Sequence, residues 1–261
     1  MTDTFLDAVS AVAREAGALA MNHWRGDFEQ WEKSPGNPVS EVDLAVDQLL
    51  KQRLAELDPE AGWLSEETAD SAERLLLPRV WVVDPIDGTR DFVRGRRGWA
   101  ISIALVEGGR PLLGVLDAPA RGEHWSAATG AGALRNGELV RPSSITTLSG
   151  ARVPADVVPR MDSDLVPVEK PNSIALRMAM VAAGEADLVA TLRWGFEWDI
   201  AAAALIAQEA GATVTDARGN TLRYNSTRGD AFGVLAASPG IHAEAVSRLA
   251  ERANSDRKSV V

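Results

Sequence analysis

Residues 80–92 read Val-Trp-Val-Val-Asp-Pro-Ile-Asp-Gly-Thr-Arg-Asp-Phe, an apolar run that leads directly into a turn with two acids. The continuous apolar run indicates a strand covered on both faces, which delivers Asp84 and Asp87 to its carboxyl end. A proline stiffens the turn between them, Gly88 permits close approach of the backbone to a ligand, and Thr89 offers a hydroxyl where a helix starts. Two carboxylates beside free backbone N–H groups suit divalent cations that bridge to a phosphate.

The composition narrows the remaining chemistry to hard oxygen ligands. The chain has 261 residues and a net charge of −10, which argues against a nucleic-acid polymer as partner because phosphate backbones need a basic face. It has no cysteine, so disulfides, thiolate metal sites and thiol catalysis are excluded. The three histidines lie far apart along the chain, which argues against a histidine-rich zinc site.

Nothing in the sequence points to export or to a membrane. Asp3 and Asp7 stand where a secretory signal would carry basic residues. No apolar run approaches the roughly 20 residues that a membrane-spanning helix needs. We therefore expect a cytoplasmic protein without a membrane partner.

The spacing of apolar residues predicts an α/β protein of layered sheets and helices. Apolar residues at helical spacing predict helices over 4–24, 172–183, 199–210 and 241–252, with one more that starts at Ser40. Strands are predicted over 63–65, 80–83, 99–106, 112–117, 123–127, 187–191, 213–216 and 231–237. The strands are too few and too irregularly spaced for a TIM barrel. The polar stretch after Pro142 predicts a boundary between an N-terminal half, 1–145, and a C-terminal half, 146–261.

Acids cluster at the predicted element boundaries, where an open α/β sheet commonly binds its ligand: Asp43, Glu66 with Glu67, Asp84 with Asp87, and Asp199. Each has a structural alternative. Asp43 fits the third position of a capping box that begins at Ser40, and Asp199 fits a helix N-cap. Glu66 and Glu67 fit a solvated loop. Turn chemistry explains the proline and the glycine near Asp84 and Asp87 but not both acids.

These motifs resemble the inositol monophosphatase superfamily, the magnesium-dependent, lithium-sensitive phosphomonoesterases. Residues 81–92 are similar to its signature, and Glu66 with Glu67 to its upstream acidic pair. The stretch 198–202 is similar to its C-terminal signature, and the likeness continues through 207–212 and 216–219. The resemblance implies alternating layers of helices and sheets, an αβαβα sandwich.

The resemblance also implies a role for each matched residue. Glu66, Asp84 and the carbonyl of Ile86 would hold one Mg²⁺, while Asp84, Asp87 and Asp199 would hold a second, with a weaker third ion at Glu66. Thr89, paired with Asp43, would position and help deprotonate the attacking water. Backbone N–H groups of Gly88 and Thr89 would receive the phosphate, Glu67 would support the metal shell, and Lys33 matches the first active-site loop.

The choice of phosphate ester is less clear from the sequence. Arg90 followed by an acid preserves the charge order of the branch that cleaves 3′(2′),5′-bisphosphate nucleotides, and we expect such a substrate. Arg94, Arg96 and Arg97 are candidates for binding its second phosphate, with a solvated turn as the alternative. Glu197 is the candidate for the family's specificity acid, with a simple charge at a helix start as the alternative.

Other activities and states stay open at this point. Inositol-1-monophosphatase and histidinol-phosphatase activity are the alternatives within the same chemistry. An inactive metal or phosphate sensor on the same fold is an alternative of another class, because a fold does not guarantee activity. The resemblance implies a small-molecule phosphate ester as the partner and a homodimer as the assembly.

Overall fold

The computed structural model of the chain describes residues 3–255, which form helices and strands in alternation along the chain. The helices are α1 (Asp3–His23), α2 (Glu41–Leu57), α3 (Thr89–Val93), α4 (Ile174–Ala182), α5 (Ala201–Ala210) and α6 (His242–Ser255). The strands are β1 (Gln30–Ser34), β2 (Asn37–Ser40), β3 (Gly62–Ser65), β4 (Arg79–Asp87), β5 (Ala100–Glu107), β6 (Arg110–Ala118), β7 (Glu123–Ala128), β8 (Ala133–Arg135), β9 (Glu138–Leu139), β10 (Arg152–Pro154), β11 (Val166–Val168), β12 (Leu188–Phe196), β13 (Thr213–Thr215) and β14 (Asp230–Ala237).

Most of these strands belong to two larger sheets. A seven-stranded sheet has the order β3-β4-β5-β6-β7-β8-β9, in which β3 and β4 are parallel and every other pair is antiparallel. A three-stranded antiparallel sheet has the order β12-β14-β13. The pairs β1-β2 and β10-β11 form two small sheets. The antiparallel group β5-β6-β7, with a turn at Gly108 and Gly109, confirms the sequence prediction for this region.

Helices and sheets stack in five layers. Trp81 and Val83 of β4 pack on the side of α1 and α2, whereas Val80 and Val82 pack with α4 and α5. The second face of α4 and α5 meets the three-stranded sheet, and α6 covers that sheet from outside. Both faces of β4 are thus buried, as its apolar run predicts. The mixed α/β layered fold is confirmed.

The two halves of the chain share a core. One cluster of buried side chains joins Leu64 and Val80 of the first half to Ala204 and Val234 of the second. The boundary between the two halves at residue 145 stays a prediction. No helix among the described residues is both long and apolar enough to span a bilayer.

The structure corrects several predicted element bounds near the site. The chain between α1 and α2, for which no helix or strand is predicted, forms the β1-β2 hairpin. Helix α5 begins at Ala201, so its N-cap is Ile200 and the N-cap interpretation of Asp199 is wrong. Strand β12 extends to Phe196, past the predicted end at 191, because it continues its pairing with β14 beyond an irregularity.

Candidate active site

A β-bulge at the end of β4 presents both acids of the Asp-Pro-Ile-Asp stretch to one cleft. Asp84 pairs with Ser102 of β5 and Asp87 pairs with Ala100, so β4 carries one residue more than β5 between these pairs. Residues three apart on a regular strand face opposite sides of the sheet, and an extra residue reverses that alternation. Both Asp84 and Asp87 line a cavity of about 210 Å³, the inner cavity.

Three carboxylates from distant parts of the chain converge in the inner cavity. Glu66 follows β3, Asp84 lies on β4, and Asp199 lies in the short loop between β12 and α5. One oxygen atom of each lies within 4.8 Å of one oxygen atom of each of the others. The parallel pairing of β3 with β4 explains why Glu66 and Asp84 lie close together, because the carboxyl ends of parallel neighbours meet at the same edge of a sheet.

This cluster carries strong electrostatic repulsion. Burial raises the pKa of Asp84 well above its usual value, and the nearby carboxylates of Glu66 and Asp87 raise it further. Burial likewise raises the pKa of Asp199, with Asp87 as the next contributor. Like charges in a desolvated cleft disfavour ionisation of all of them together. A bound cation offsets both the repulsion and the desolvation, so the donor set fits a hard divalent metal.

Asp43 uses one carboxylate oxygen to cap α2 and the other to contact Thr89. Its Oδ2 accepts hydrogen bonds from the hydroxyl (2.5 Å) and the backbone N–H (2.9 Å) of Ser40. Its Oδ1 accepts a hydrogen bond from Thr89 Oγ1 at 3.0 Å. The capping-box interpretation and the interpretation as a partner of Thr89 are therefore compatible. Burial raises the pKa of Asp43.

Asp87 lines the cavity but also holds the start of α4. Its Oδ2 accepts from Ser173 Oγ at 2.5 Å and from the Ala175 N–H at 2.8 Å, and its Oδ1 accepts from the Ile174 N–H at 3.4 Å. Burial raises the pKa of Asp87 to about 6, although these bonds act in the opposite direction. Asp87 thus belongs to the charge cluster while both its oxygens serve α4.

The β1-β2 hairpin reaches the cluster through Lys33. The Lys33 ammonium donates to Glu66 at 3.0 Å and to Glu67 at 2.6 Å. Burial raises the pKa of Glu67 to about 7, against the hydrogen bond from Lys33. The two glutamates are therefore not a solvated pair, because both take part in one ion cluster with the hairpin.

Gly88 gives the backbone its close approach to the cavity. It adopts a φ of +96°, and a Cβ there would lie 2.6 Å from the Gly98 carbonyl oxygen. Ile86 and Thr89 line the same cavity, and the Ile86 carbonyl accepts from Thr89 Oγ1 at 3.0 Å. Arg90 also lines it, and its guanidinium donates to the Gly36 carbonyl at the tip of the hairpin.

Glu197 does not occupy the position expected of a substrate contact. It is fully buried, and its carboxylate accepts from the backbone N–H groups of Asn225 (2.5 Å) and Ser226 (2.9 Å). It lines neither the inner cavity nor the outer cavity, an adjoining space of about 330 Å³. The Glu197 carboxylate thus holds the loop before β14. This contact supports neither interpretation of Glu197, as a specificity acid or as a simple charge at a helix start.

The arginine cluster after the core motif also lies outside the cleft. Arg94, Arg96 and Arg97 are exposed and line neither cavity. Arg97 donates to the Ala120 carbonyl, and Arg96 lies 3.9 Å from Asp91. The structure therefore gives no support to the predicted contact of these three residues with a second phosphate.

Comparisons with known proteins identify the family of this chain. The model of the "Inositol monophosphatase family" matches residues 1–260. The chain belongs to the inositol monophosphatase family. It is 36% identical over 225 residues to the Thermotoga maritima fructose-1,6-bisphosphatase/inositol-1-monophosphatase, covering 82% of this chain and 85% of that protein. It is 33% identical to the Salmonella typhimurium 3′(2′),5′-bisphosphate nucleotidase CysQ over 240 residues, covering 84% and 93%.

The fold agrees as well. The solved structure of a Thermotoga maritima IMPase superposes with a TM-score of 0.82 at 32% identity, covering 94% of this chain and 96% of that one. Members of the inositol monophosphatase family are phosphatases, so the expectation of a phosphoric monoester hydrolase is confirmed.

Two further arginines line the cleft of this inositol monophosphatase family member, and neither is among the site residues predicted from the sequence. Arg177 on α4 and Arg193 on β12 line both the inner cavity and the outer cavity. Arg177 has no sequence signal, because only the packing of α4 turns its face toward the cleft. Arg193 has one, since it precedes Asp199 by six residues in an aromatic-rich stretch.

Proposed function

We propose that this chain is a magnesium-dependent phosphomonoesterase whose substrate is a small 3′(2′),5′-bisphosphate nucleotide. The convergence of Glu66, Asp84 and Asp199 within 4.8 Å, next to the Thr89–Asp43 pair, carries the proposal. We assign the metal ligands to these three acids, Asp87 and the Ile86 carbonyl, for two or three ions. Bound Mg²⁺ would supply Lewis-acid polarisation of the phosphate and acidify a water molecule.

The protein's own groups then position the reactants. Thr89 Oγ1 lies 3.0 Å from both Asp43 Oδ1 and the Ile86 carbonyl, and its single proton is shared between these two acceptors. Its lone pairs therefore accept a hydrogen bond from the attacking water. Asp43 holds this orientation because Ser40 fixes its other oxygen. The backbone N–H groups of Gly88 and Thr89, at the first turn of α3, receive oxygen atoms of the transferred phosphate. Glu67 and Lys33 support the cluster from the side of the hairpin.

The bisphosphate nucleotide is favoured by the charges in the rest of the cleft. Arginine side chains line the outer cavity, which adjoins the acids and suits a second phosphate. The relative that hydrolyses 3′(2′),5′-bisphosphate nucleotides supports the same choice. A sugar phosphate is the second candidate, favoured by the Thermotoga maritima relative that acts as fructose-1,6-bisphosphatase and inositol-1-monophosphatase.

Release of inorganic phosphate tests the proposal directly. The panel compares adenosine 3′,5′-bisphosphate, fructose 1,6-bisphosphate, inositol 1-phosphate, NADP and histidinol phosphate, with saturating Mg²⁺ and with a chelator. We expect Mg²⁺-dependent turnover that is fastest on the nucleotide and is inhibited by millimolar Li⁺. A Mg²⁺-induced rise in melting temperature without turnover on any substrate would identify an inactive sensor instead.

The cellular location and assembly are further inferences from the family likeness. We infer a cytoplasmic homodimer that acts on a small-molecule ester rather than on a nucleic-acid polymer. The net charge of −10 supports the last point. Light scattering on the purified protein measures the assembly, and a monomer at micromolar concentration would refute the dimer.

A further inference from the structure

Arg90, Arg177 and Arg193 line both ends of the cleft, which differ in their number of acids. The inner cavity holds the carboxylates of Glu66, Asp84, Asp87 and Asp199. The outer cavity shares Asp199 with it but has no other acid, and it is lined by Arg90, Arg177 and Arg193. This cationic lining occurs in a protein with a net charge of −10. An anion attached to the reacting ester therefore meets the same arginines but fewer repelling carboxylates in the outer cavity.

Arg177 is fixed in place before any ligand binds. Its guanidinium donates to the carbonyl oxygens of Pro171, at 2.9 Å, and of Asn172. These bonds orient the planar group and leave further N–H donors of the fork for another acceptor. Burial lowers the pKa of Arg177; the carboxylate of Asp87 raises it, and the nearby charge of Arg193 lowers it. Two cations that repel each other across a cavity are stabilised by an anion between them.

The charge of Arg193 acts on the Asp199 carboxylate of the same cleft, but the two side chains do not form a close ion pair. Among the described residues, 3–255, Arg193 makes no hydrogen bond or ion pair, although its side chain lines both cavities. It stands in a bulge of β12, because Thr191 pairs with Val234 of β14 while Trp194 pairs with Phe232. Gly233 makes the bulge possible: its φ is +65°, and a Cβ there would lie 2.1 Å from the Thr191 carbonyl oxygen. Bulges next to active sites re-aim side chains.

An aromatic surface lies beside these arginines. Phe196 lines both cavities and is 49% exposed, and its other side stacks on Trp198 at 4.4 Å between ring centroids and 10° between planes. Trp194, two residues earlier on β12, is 54% exposed in the outer cavity. A ring held on one face and open on the other suits stacking by a planar heterocycle.

We propose that Arg177 and Arg193 form a subsite for a second phosphate of the substrate, and that Phe196 stacks with its nucleobase. The inference rests on the proposed phosphatase activity and assigns the residues that select its substrate. Phosphate bound between two guanidinium groups accepts charge-assisted hydrogen bonds, while the reacting phosphate lies at the acids. The arginine subsite would fit a sugar bisphosphate equally well. Only the aromatic surface favours a nucleotide, because it can stack on a base.

The decisive measurement is a ratio of specificity constants. Arg193→Gln should lower kcat/KM for adenosine 3′,5′-bisphosphate about 30-fold relative to kcat/KM for inositol 1-phosphate, since a charged hydrogen bond is lost. Arg193→Lys should recover part of that loss, because it restores the charge without the fork. Arg94→Gln is the matched control, because Arg94 is exposed outside both cavities, and it should leave the ratio unchanged.

Two further arms separate the base from the phosphate. Phe196→Ala should lower kcat/KM for adenosine 3′,5′-bisphosphate about tenfold relative to fructose 1,6-bisphosphate, whereas Arg193→Gln should impair both bisphosphates. Titration calorimetry with adenosine 5′-phosphate, which carries only the second phosphate, should show weaker binding to the Arg193→Gln protein, with circular dichroism to verify its fold. This binding measurement does not require turnover.

The outcomes also separate this subsite from the catalytic assignment. If the wild-type protein releases phosphate from no substrate with Mg²⁺, the proposed function fails. If it turns over both substrates but Arg193→Gln leaves their ratio unchanged, or Arg94→Gln changes it, the subsite is refuted while the phosphatase stands. Equal loss from Phe196→Ala on the nucleotide and the sugar bisphosphate would refute the stacking role.

Discussion

Asp84 combines a pKa raised well above its usual value with the central place among the proposed metal ligands. Its Oδ1 accepts from the Ile86 N–H at 3.0 Å, a bond that asparagine keeps through its own oxygen. Asp84→Asn therefore removes a charge with little change of shape. We expect kcat to fall by at least about a hundredfold, because the metal loses an anionic ligand. Phosphate release at saturating Mg²⁺ measures it.

The same substitution should make the metal-free protein more stable. Burial and the neighbouring carboxylates raise the pKa of Asp84, so a neutral amide relieves repulsion in the folded state. We expect a higher melting temperature in chelator for Asp84→Asn than for wild type, and a smaller increase when Mg²⁺ is added. Asp117→Asn is the control, a buried acid that pairs with His124 outside the cleft. Near-normal turnover of Asp84→Asn would refute the ligand assignment.

Thr89 offers a test of the proposed water-positioning pair. Thr89→Val keeps the shape but removes the hydroxyl that contacts Asp43 at 3.0 Å. We expect kcat to fall about a hundredfold or more, the range typical of general acid–base groups, with Mg²⁺ binding retained. Thr89→Ser keeps the hydroxyl and should retain most of the activity. Equal activity of the valine and serine variants would show that the hydroxyl takes no part.

The acids of the site and Arg90 are readable from the sequence, whereas Arg177 is not. Asp84 and Asp199 lie next to apolar elements, where burial of a charge needs a reason. An arginine such as Arg177 is ordinary on a helix, and only the packing of α4 between two sheets shows that it faces the cleft. The charge run 94–97 attracts attention in the sequence but lies in a turn outside both cavities. Whether an arginine lines the cleft depends on where the folded chain places its side chain, which the spacing of residues in the sequence does not specify.

At the scale of elements, the capping box of α2 joins helix stability to the site. Ser40 donates two hydrogen bonds to Asp43, which in turn contacts Thr89. Ser40→Ala should lower the free energy of unfolding by about 1 kcal/mol, as a lost N-cap does. It should also lower kcat about tenfold, because Asp43 loses one of the two bonds that fix its orientation. Thermal unfolding and phosphate release measure the two effects.

Ser71→Ala separates these two effects of the cap. Ser71 accepts from the Glu73 N–H at 3.3 Å and caps the short 3₁₀ helix at residues 72–76, which contributes no lining residue to either cavity. We expect it to lower stability without lowering kcat. If Ser40→Ala lowers stability alone, the cap supports the helix and not the catalytic pair.

Element identity is better predicted from this sequence than element irregularity. The apolar periodicities of α1 and β4 predict their type and their faces, because they reflect burial directly. The bulges in β4 and β12 leave no periodic signal, since one extra residue is defined only by the partner strand. Those two bulges nevertheless place Asp87 and Arg193 in the cleft. The parts of the fold that escape prediction are thus the parts that shape the site.

At the scale of the whole molecule, the acid cluster should make stability fall as the pH rises. Burial raises the pKa of Asp87 to about 6 and that of Glu67 to about 7, and it raises the pKa of Asp84 and Asp199 well above their usual range. Between the unfolded and folded pKa values, the folded state binds more protons than the unfolded state. The free energy of unfolding of the metal-free protein therefore decreases from about pH 4 toward and beyond pH 7.

Other carboxylates titrate in the same window, so the test is a difference between two proteins. The melting temperature of Asp84→Asn minus that of wild type, both in chelator, should be small at pH 5 and should grow to about 5 °C at pH 8. The rise in melting temperature that Mg²⁺ gives the wild-type protein should follow the same trend, because cations and protons compete for the same oxygens. A difference in melting temperature that is constant from pH 5 to pH 8 would show that the pKa of Asp84 is not raised by its neighbours. The electrostatic argument for a bound cation at this cluster would then fail.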